Sequence, residues 1–89
     1  MEYEVTYEDE AIATSTGGIS SKGANSICFE NTGNDNAVLN GNIPLNVGER
    51  REYTNLPNVK INKVWKITFA GTVPTQKVLI ERGFIKAKR

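Results

Sequence analysis

Residues 63–88 read KVWKITFAGTVPTQKVLIERGFIKAK, and this stretch decides the fold. Trp65, Ile67 and Phe69 alternate with Lys66 and Thr68, the period of two that places every second side chain on one face of a strand. Gly71–Pro74 then supplies turn residues, and QKVLIERGFIKAK follows as a long final strand in which Gly83 is expected to mark a bulge. No segment of the chain sustains a helical period; EDEAIA has room for one turn at most.

Working back towards the N-terminus, the same grammar recurs. ANSICFE turns Ile27 and Phe29 to one face and Cys28 to the other. AVLN is a short strand ended by Asn40-Gly41, the favoured pair for a type I′ turn. NIPL carries Pro44, which has no backbone donor and so belongs at a sheet edge. RREYT leads through Pro57 to VKI. Short strands at turn-punctuated intervals predict an all-β domain, a small sandwich or a barrel with the sandwich preferred. The expected core is Ile27, Phe29, Val38, Leu45, Tyr53, Ile61, Trp65, Ile67, Phe69, Val78 and Ile80.

MEYEVTYE alternates as cleanly as the long strands, with Tyr3, Val5 and Tyr7 against Glu2, Glu4, Thr6 and Glu8. It predicts a half-buried strand, followed by a small, polar, Gly-rich connection, AIATSTGGISSKG, that is flexible or extended. Residues 1–23 are therefore expected as an N-terminal strand or arm with its linker, and residues 24–89 as the sandwich body. An ordinary edge strand with a long loop is the competing reading.

The oxygen-rich stretch at 31–49, NTGNDNAVLNGNIPLNVGE, is the segment that most resembles a binding loop. A calcium loop of the EF-hand type fails on spacing: with Gly41 sixth, Val38 and Val47 occupy ligand positions. Asp35 is also the only carboxylate between Asn31 and Gly48, whereas hard cations recruit several. Asn and Gly tolerate left-handed backbone, and Asn side chains mimic turn hydrogen bonds, so turn chemistry is the better account.

Composition narrows the function classes. The chain has 89 residues, enough for one domain with a modest core. Cys28 is its single cysteine and it has no histidine, which removes an intrachain disulfide and the commonest general base and metal ligand. Serine and threonine clusters at 14–16 and 20–21 thus lack a base, and no phosphate-binding glycine loop follows Gly17-Gly18. No enzyme, cofactor or metal is expected. Small domains without disulfides or metals often gain stability by assembling.

Net charge is +1, but Glu2, Glu4, Glu8, Asp9 and Glu10 make the N-terminus acidic. Lys60, Lys63, Lys66, Lys77, Arg82, Lys86, Lys88 and Arg89 make the last third basic. Interleaved with Trp65, Phe69 and Phe84, these cations give a second reading, a β-barrel that binds single-stranded nucleic acid. Against it, Trp65 and Phe69 share a face with Ile67 and so read as core. A third reading is a carbohydrate- or protein-binding module with an exposed aromatic patch at Tyr53 or Phe84. No apolar run approaches a membrane span and the N-terminus lacks a basic signal, so a soluble chain made in the cytoplasm is expected.

SICFENTG, AVLNGNIPLNVGE and KVWKITFAGTVPTQKVLI, taken in order, resemble the small β-sandwich modules of tailed-phage virion proteins, such as head decoration, head-fibre and tail-associated subunits. The resemblance covers roughly residues 25–82. It implies an Ig-like or jelly-roll-like antiparallel sandwich with an extended N-terminal arm, located in the virion. The implied role is an auxiliary or decoration capsid subunit, and the implied partners are the major capsid protein or identical copies. On this reading Tyr3, Val5 and Tyr7 dock on an adjacent subunit, bringing Glu2 and Glu4 near basic residues such as Lys86 or Lys88.

Overall fold

Eight antiparallel strands form two four-stranded sheets in a computed structural model that describes residues 2–55, 59–71 and 75–88. The strands are β1 (Glu2–Ile12), β2 (Thr16–Ser20), β3 (Ser26–Asn31), β4 (Ala37–Leu39), β5 (Ile43–Leu45), β6 (Arg50–Thr54), β7 (Val64–Phe69) and β8 (Val78–Lys88). The first sheet runs β1-β8-β3-β6 and the second β2-β7-β4-β5. The pairing is nested: β1 with β8, β2 with β7, β3 with β6 and β4 with β5. Pairing of β3 with β8 and of β4 with β7 joins these ribbons into sheets. One long antiparallel ribbon rolled into two sheets is the jelly-roll arrangement, so the sandwich takes that form rather than the immunoglobulin one.

The core forms where alternate residues of the two sheets meet. Ile27, Phe29, Leu45, Trp65, Ile67, Phe69, Val78 and Ile80 are buried as the alternation requires. Tyr53 and Ile61 are partly buried and pack against this cluster. Val38 is different: β4 turns Ala37 and Leu39 inward and leaves Val38 half-buried on the other face. A three-residue strand offers too few positions for its period to reveal which parity faces in.

Residues 11–23 also differ from expectation. They include β2, which pairs with β7 through Thr16↔Ile67 and Ile19↔Trp65 and buries Ile19 in the core. Gly17 and Gly18 sit where that register shifts, so the glycines mark an irregularity in a strand. EDEAI belongs to β1. Gly83 marks no bulge, since β8 pairs with β1 continuously from Ile12↔Val78 to Glu2↔Lys88. Instead Tyr7 stands opposite Gly83, and a Cβ there would lie 3.2 Å from the Tyr7 ring and collide with Ser26 Oγ. Pro57 and the turn at residues 72–74 lie outside the described residues.

Candidate functional site

β3 accompanies β8 only from Asn31↔Val78 to Ser26↔Gly83. Beyond Gly83, β8 keeps β1 as its one strand partner, so residues 2–6 and 84–88 leave the sheet as a two-stranded ribbon. The molecule is accordingly drawn out, 48 Å long against widths of 19 and 17 Å. An isolated two-stranded ribbon is marginal in water and needs something to hold its base or cover its face.

Asn25 holds the base. Its backbone N–H donates to Gly83 C=O at 2.8 Å, continuing the β3–β8 ladder by one step. Its side-chain Oδ1 then accepts from Ile85 N–H at 2.9 Å, while Nδ2 donates to Val59 C=O at 3.0 Å. The side chain is buried, where an amide can replace one rung of a sheet provided its polar atoms are satisfied. No sequence pattern singled out Asn25.

Alternation divides the ribbon into two faces. Tyr3, Val5 and Tyr7 stand opposite Ala87, Ile85 and Gly83 on the face turned away from the second sheet. Tyr3, Val5 and Tyr7 are 52%, 46% and 61% exposed, the apolar half of a strand pattern with no core beneath it. On the other face Glu4 stands opposite Lys86, and the backbone of Glu2 pairs with that of residue 88. Glu4 and Lys86 are thus brought side by side within one chain. Opposite charges directly across a ladder favour this register over its neighbours.

Arg82, counted from sequence among the basic surface residues, is buried between the sheets. Its Nε donates to Ser20 C=O at 3.0 Å and its Nη1 to Glu10 Oε1 at 2.8 Å. Trp65 and Phe69 are core residues, so the aromatics proposed for base stacking face inward. Tyr53 and Phe84 are half-buried; the exposed aromatic pair is Tyr3 and Tyr7.

Two other places carry chemistry. Cys28 lies on the outer face of the first sheet, in a recess it shares with Asp9, Glu30, Arg50, Leu79 and Glu81. Burial pushes its thiol pKa up, Arg50 partly opposes this, and Glu52, Glu81 and Glu30 add to it. Trp65 packs against Phe29 and Tyr53, with the Lys63 ammonium 5.5 Å from its ring centroid. Its Nε1–H is buried without an acceptor among the described residues.

The side-chain oxygens of Asn31, Asp35, Asn36, Asn40 and Glu49 are taken up within the chain. Asn31 is buried, donates from Nδ2 to Asp35 C=O at 2.7 Å and Leu45 C=O at 2.9 Å, and accepts from Gly33 N–H at 3.2 Å. Asp35 Oδ2 accepts from Gly71 N–H, Asn36 Oδ1 from Val47 N–H, and Asn40 Oδ1 from Lys66 N–H. Asn40 and Gly41 both have positive φ, 53° and 78°, and Asn42 N–H donates to Leu39 C=O, as in the type I′ turn expected, but Leu39 pairs with Ile43, so the hairpin loop holds three residues (40–42) rather than two. Compared with protein-family models, with curated proteins and with solved structures, the chain matches none.

Proposed function

We propose that this chain is a non-enzymatic assembly module that docks on larger protein arrays through the β1–β8 ribbon. Its specific form is an auxiliary or decoration capsid subunit of a tailed phage, located in the virion, as the resemblance of residues 25–82 implies. The observation that carries the docking role is the exposed face of Tyr3, Val5 and Tyr7, a strand-patterned apolar row that the described residues leave about half open. On the ribbon's charged face Glu4 already stands opposite Lys86 of the same chain, which leaves the apolar face as the one that calls for a partner. A jelly roll is compatible with this role and does not select it, because capsid, lectin and cupin domains share the architecture.

Mass spectrometry of phage particles purified from the organism that encodes the chain tests the virion assignment. The chain is expected in fixed ratio to the major capsid protein; its absence sinks that assignment. A Tyr3→Ser/Val5→Ser variant tests the ribbon. It is expected to unfold at the same temperature as the parent yet to be lost from particles. A variant retained at the parental ratio removes the ribbon from the docking role.

A further inference from the structure

We infer that copies of this chain join edge to edge, with β1 of one copy pairing antiparallel to β6 of the next so that the first sheet runs through the contact. The inference rests on the assembly reading above and names its partner, a second copy.

The four sheet edges are unequal. In the second sheet, β5 has three residues and contains Pro44, and β2 has a register shift beside Gly17 and Gly18. Proline, shortness and irregularity are the ordinary ways a sheet edge is closed to new strands. The edges of the first sheet carry no proline and no register shift; they are guarded by charge instead, acidic along β1 and led by Arg50-Arg51 on β6, so that each edge repels its own kind and accepts the other. β1 is eleven residues long, regular against β8, and without proline; β6 is likewise regular against β3.

Direction and charge then choose the pairing. Every adjacent pair in β1-β8-β3-β6 is antiparallel, so β1 and β6 run in opposite senses. A second copy placed alongside in the same orientation therefore presents its β6 antiparallel to β1. Pairing β1 with another β1 would crowd two strands that each carry Glu2, Glu4, Glu8, Asp9 and Glu10 with no base between them. β6 instead begins with Arg50-Arg51.

One register satisfies both faces. Across one copy, Arg51 lies level with Phe29, Ile80 and Glu10, which places Arg51 on the same face as Glu8 and Glu10. Sliding by two residues preserves the faces and sets Arg51 opposite Glu8 and Arg50 opposite Asp9. Glu52 then meets Tyr7 and no acid. Glu10, engaged by Arg82, then stands level with Glu49, one residue beyond the start of β6. Among the described residues Arg50 pairs with Glu52, at 3.4 Å with both side chains about half exposed, a partner readily exchanged. The contact joins two different edges, so it propagates head to tail and closes into a ring or continues as a filament.

Light scattering on the full chain over a range of concentration, with a charge-swap pair, tests the contact. The parent is expected to be oligomeric, whereas Glu8→Lys/Asp9→Lys and Arg50→Glu/Arg51→Glu are each expected to be monomeric. Mixing the two variants should restore the parental mass, because each then supplies the edge the other lacks. A parent that stays monomeric at all concentrations overturns the inference, as do variants that assemble alone. If a variant is unfolded, amide exchange of the parent decides: protection of β1 and β6 should rise together with concentration, and unchanged protection overturns the inference. A monomer that still enters phage particles refutes this contact and leaves the virion role standing; an oligomer absent from particles does the reverse.

Discussion

Arg82 reaches Glu10 at 2.8 Å from a position that is 2% exposed, while the Glu10 side chain remains 43% exposed. The pair is therefore lopsided: one ion is enclosed and the other retains water. Removing the acid strips a buried cation of its partner, whereas removing the cation leaves an acid that can solvate. Glu10→Ala is expected to cost about 3 kcal/mol, near the lower end for orphaning a buried charge. Arg82→Met should cost less, about 1–2 kcal/mol, mainly the lost bond to Ser20 C=O. Urea unfolding of the two variants checks the order; a reversed order would remove the pair from its role between the sheets.

Asn25 joins the ribbon to the sandwich by bonding Gly83 and Ile85. Asn25→Leu removes the acceptor for Ile85 N–H and the donor for Val59 C=O, with an expected loss of about 2–3 kcal/mol. Amide exchange should show Ile85 losing protection before residues of β7 do. Uniform loss across the molecule would mean that Asn25 supports the core rather than the ribbon.

Gly33 is packed against backbone. A Cβ at this position would collide with Thr75 C=O and Lys77 N–H and lie 3.0 Å from the Gln76 carbonyl carbon. Gly33→Ala is expected to cost about 3 kcal/mol, the upper range for overpacking that rigid neighbours cannot relieve. Gly48 has φ of 83° and open space around it, so Gly48→Ala should cost only about 1 kcal/mol of backbone strain. Equal losses in thermal unfolding would contradict the packing of the 31–36 loop on residues 75–77.

Cys28 gives the stability a pH dependence on the alkaline side. Burial raises its thiol pKa in the folded chain, so the unfolded chain ionises first, near the ordinary value of about 8.5. The unfolded state binds fewer protons in that window, and stability falls as pH rises through it towards the folded pKa. The contribution is fully present below the unfolded value. Cys28→Ala should flatten this alkaline decline in the urea midpoint, and alkylation of the folded chain should be slow at neutral pH. A parallel decline in the variant would assign the effect to other groups.

Much of the fold was legible because period-two alternation reports faces directly. KVWKITFA and VLIERGFIKAK became β7 and β8, and ANSICFE became β3 with Cys28 on the outer face. The turn reading of residues 31–49 survives at Asn31, Asn36 and Asn40, whose side chains bond the backbone of Leu45, Val47 and Lys66. β2 escaped notice because TGGIS has two glycines and a single large apolar residue, Ile19. Its strand character comes from pairing with β7, a partner more than forty residues away.

The candidate site was half legible. Tyr3, Val5 and Tyr7 share a face by periodicity alone, but periodicity cannot say whether a core lies beneath that face. Alternation is a local property, set by the geometry of successive residues, and the sequence determined it here: strands, turns and the two-faced character of β1. Coverage is not local. Whether Tyr3 faces a core or water depended on β8 turning Val78 and Ile80 to the second sheet, level with Ile12 and Glu10 on the other face of β1, and whether Arg82 was surface or interior depended on Ser20 and Glu10 arriving from other strands. Those outcomes rest on contacts between residues far apart in the chain, and only the tertiary structure decided them.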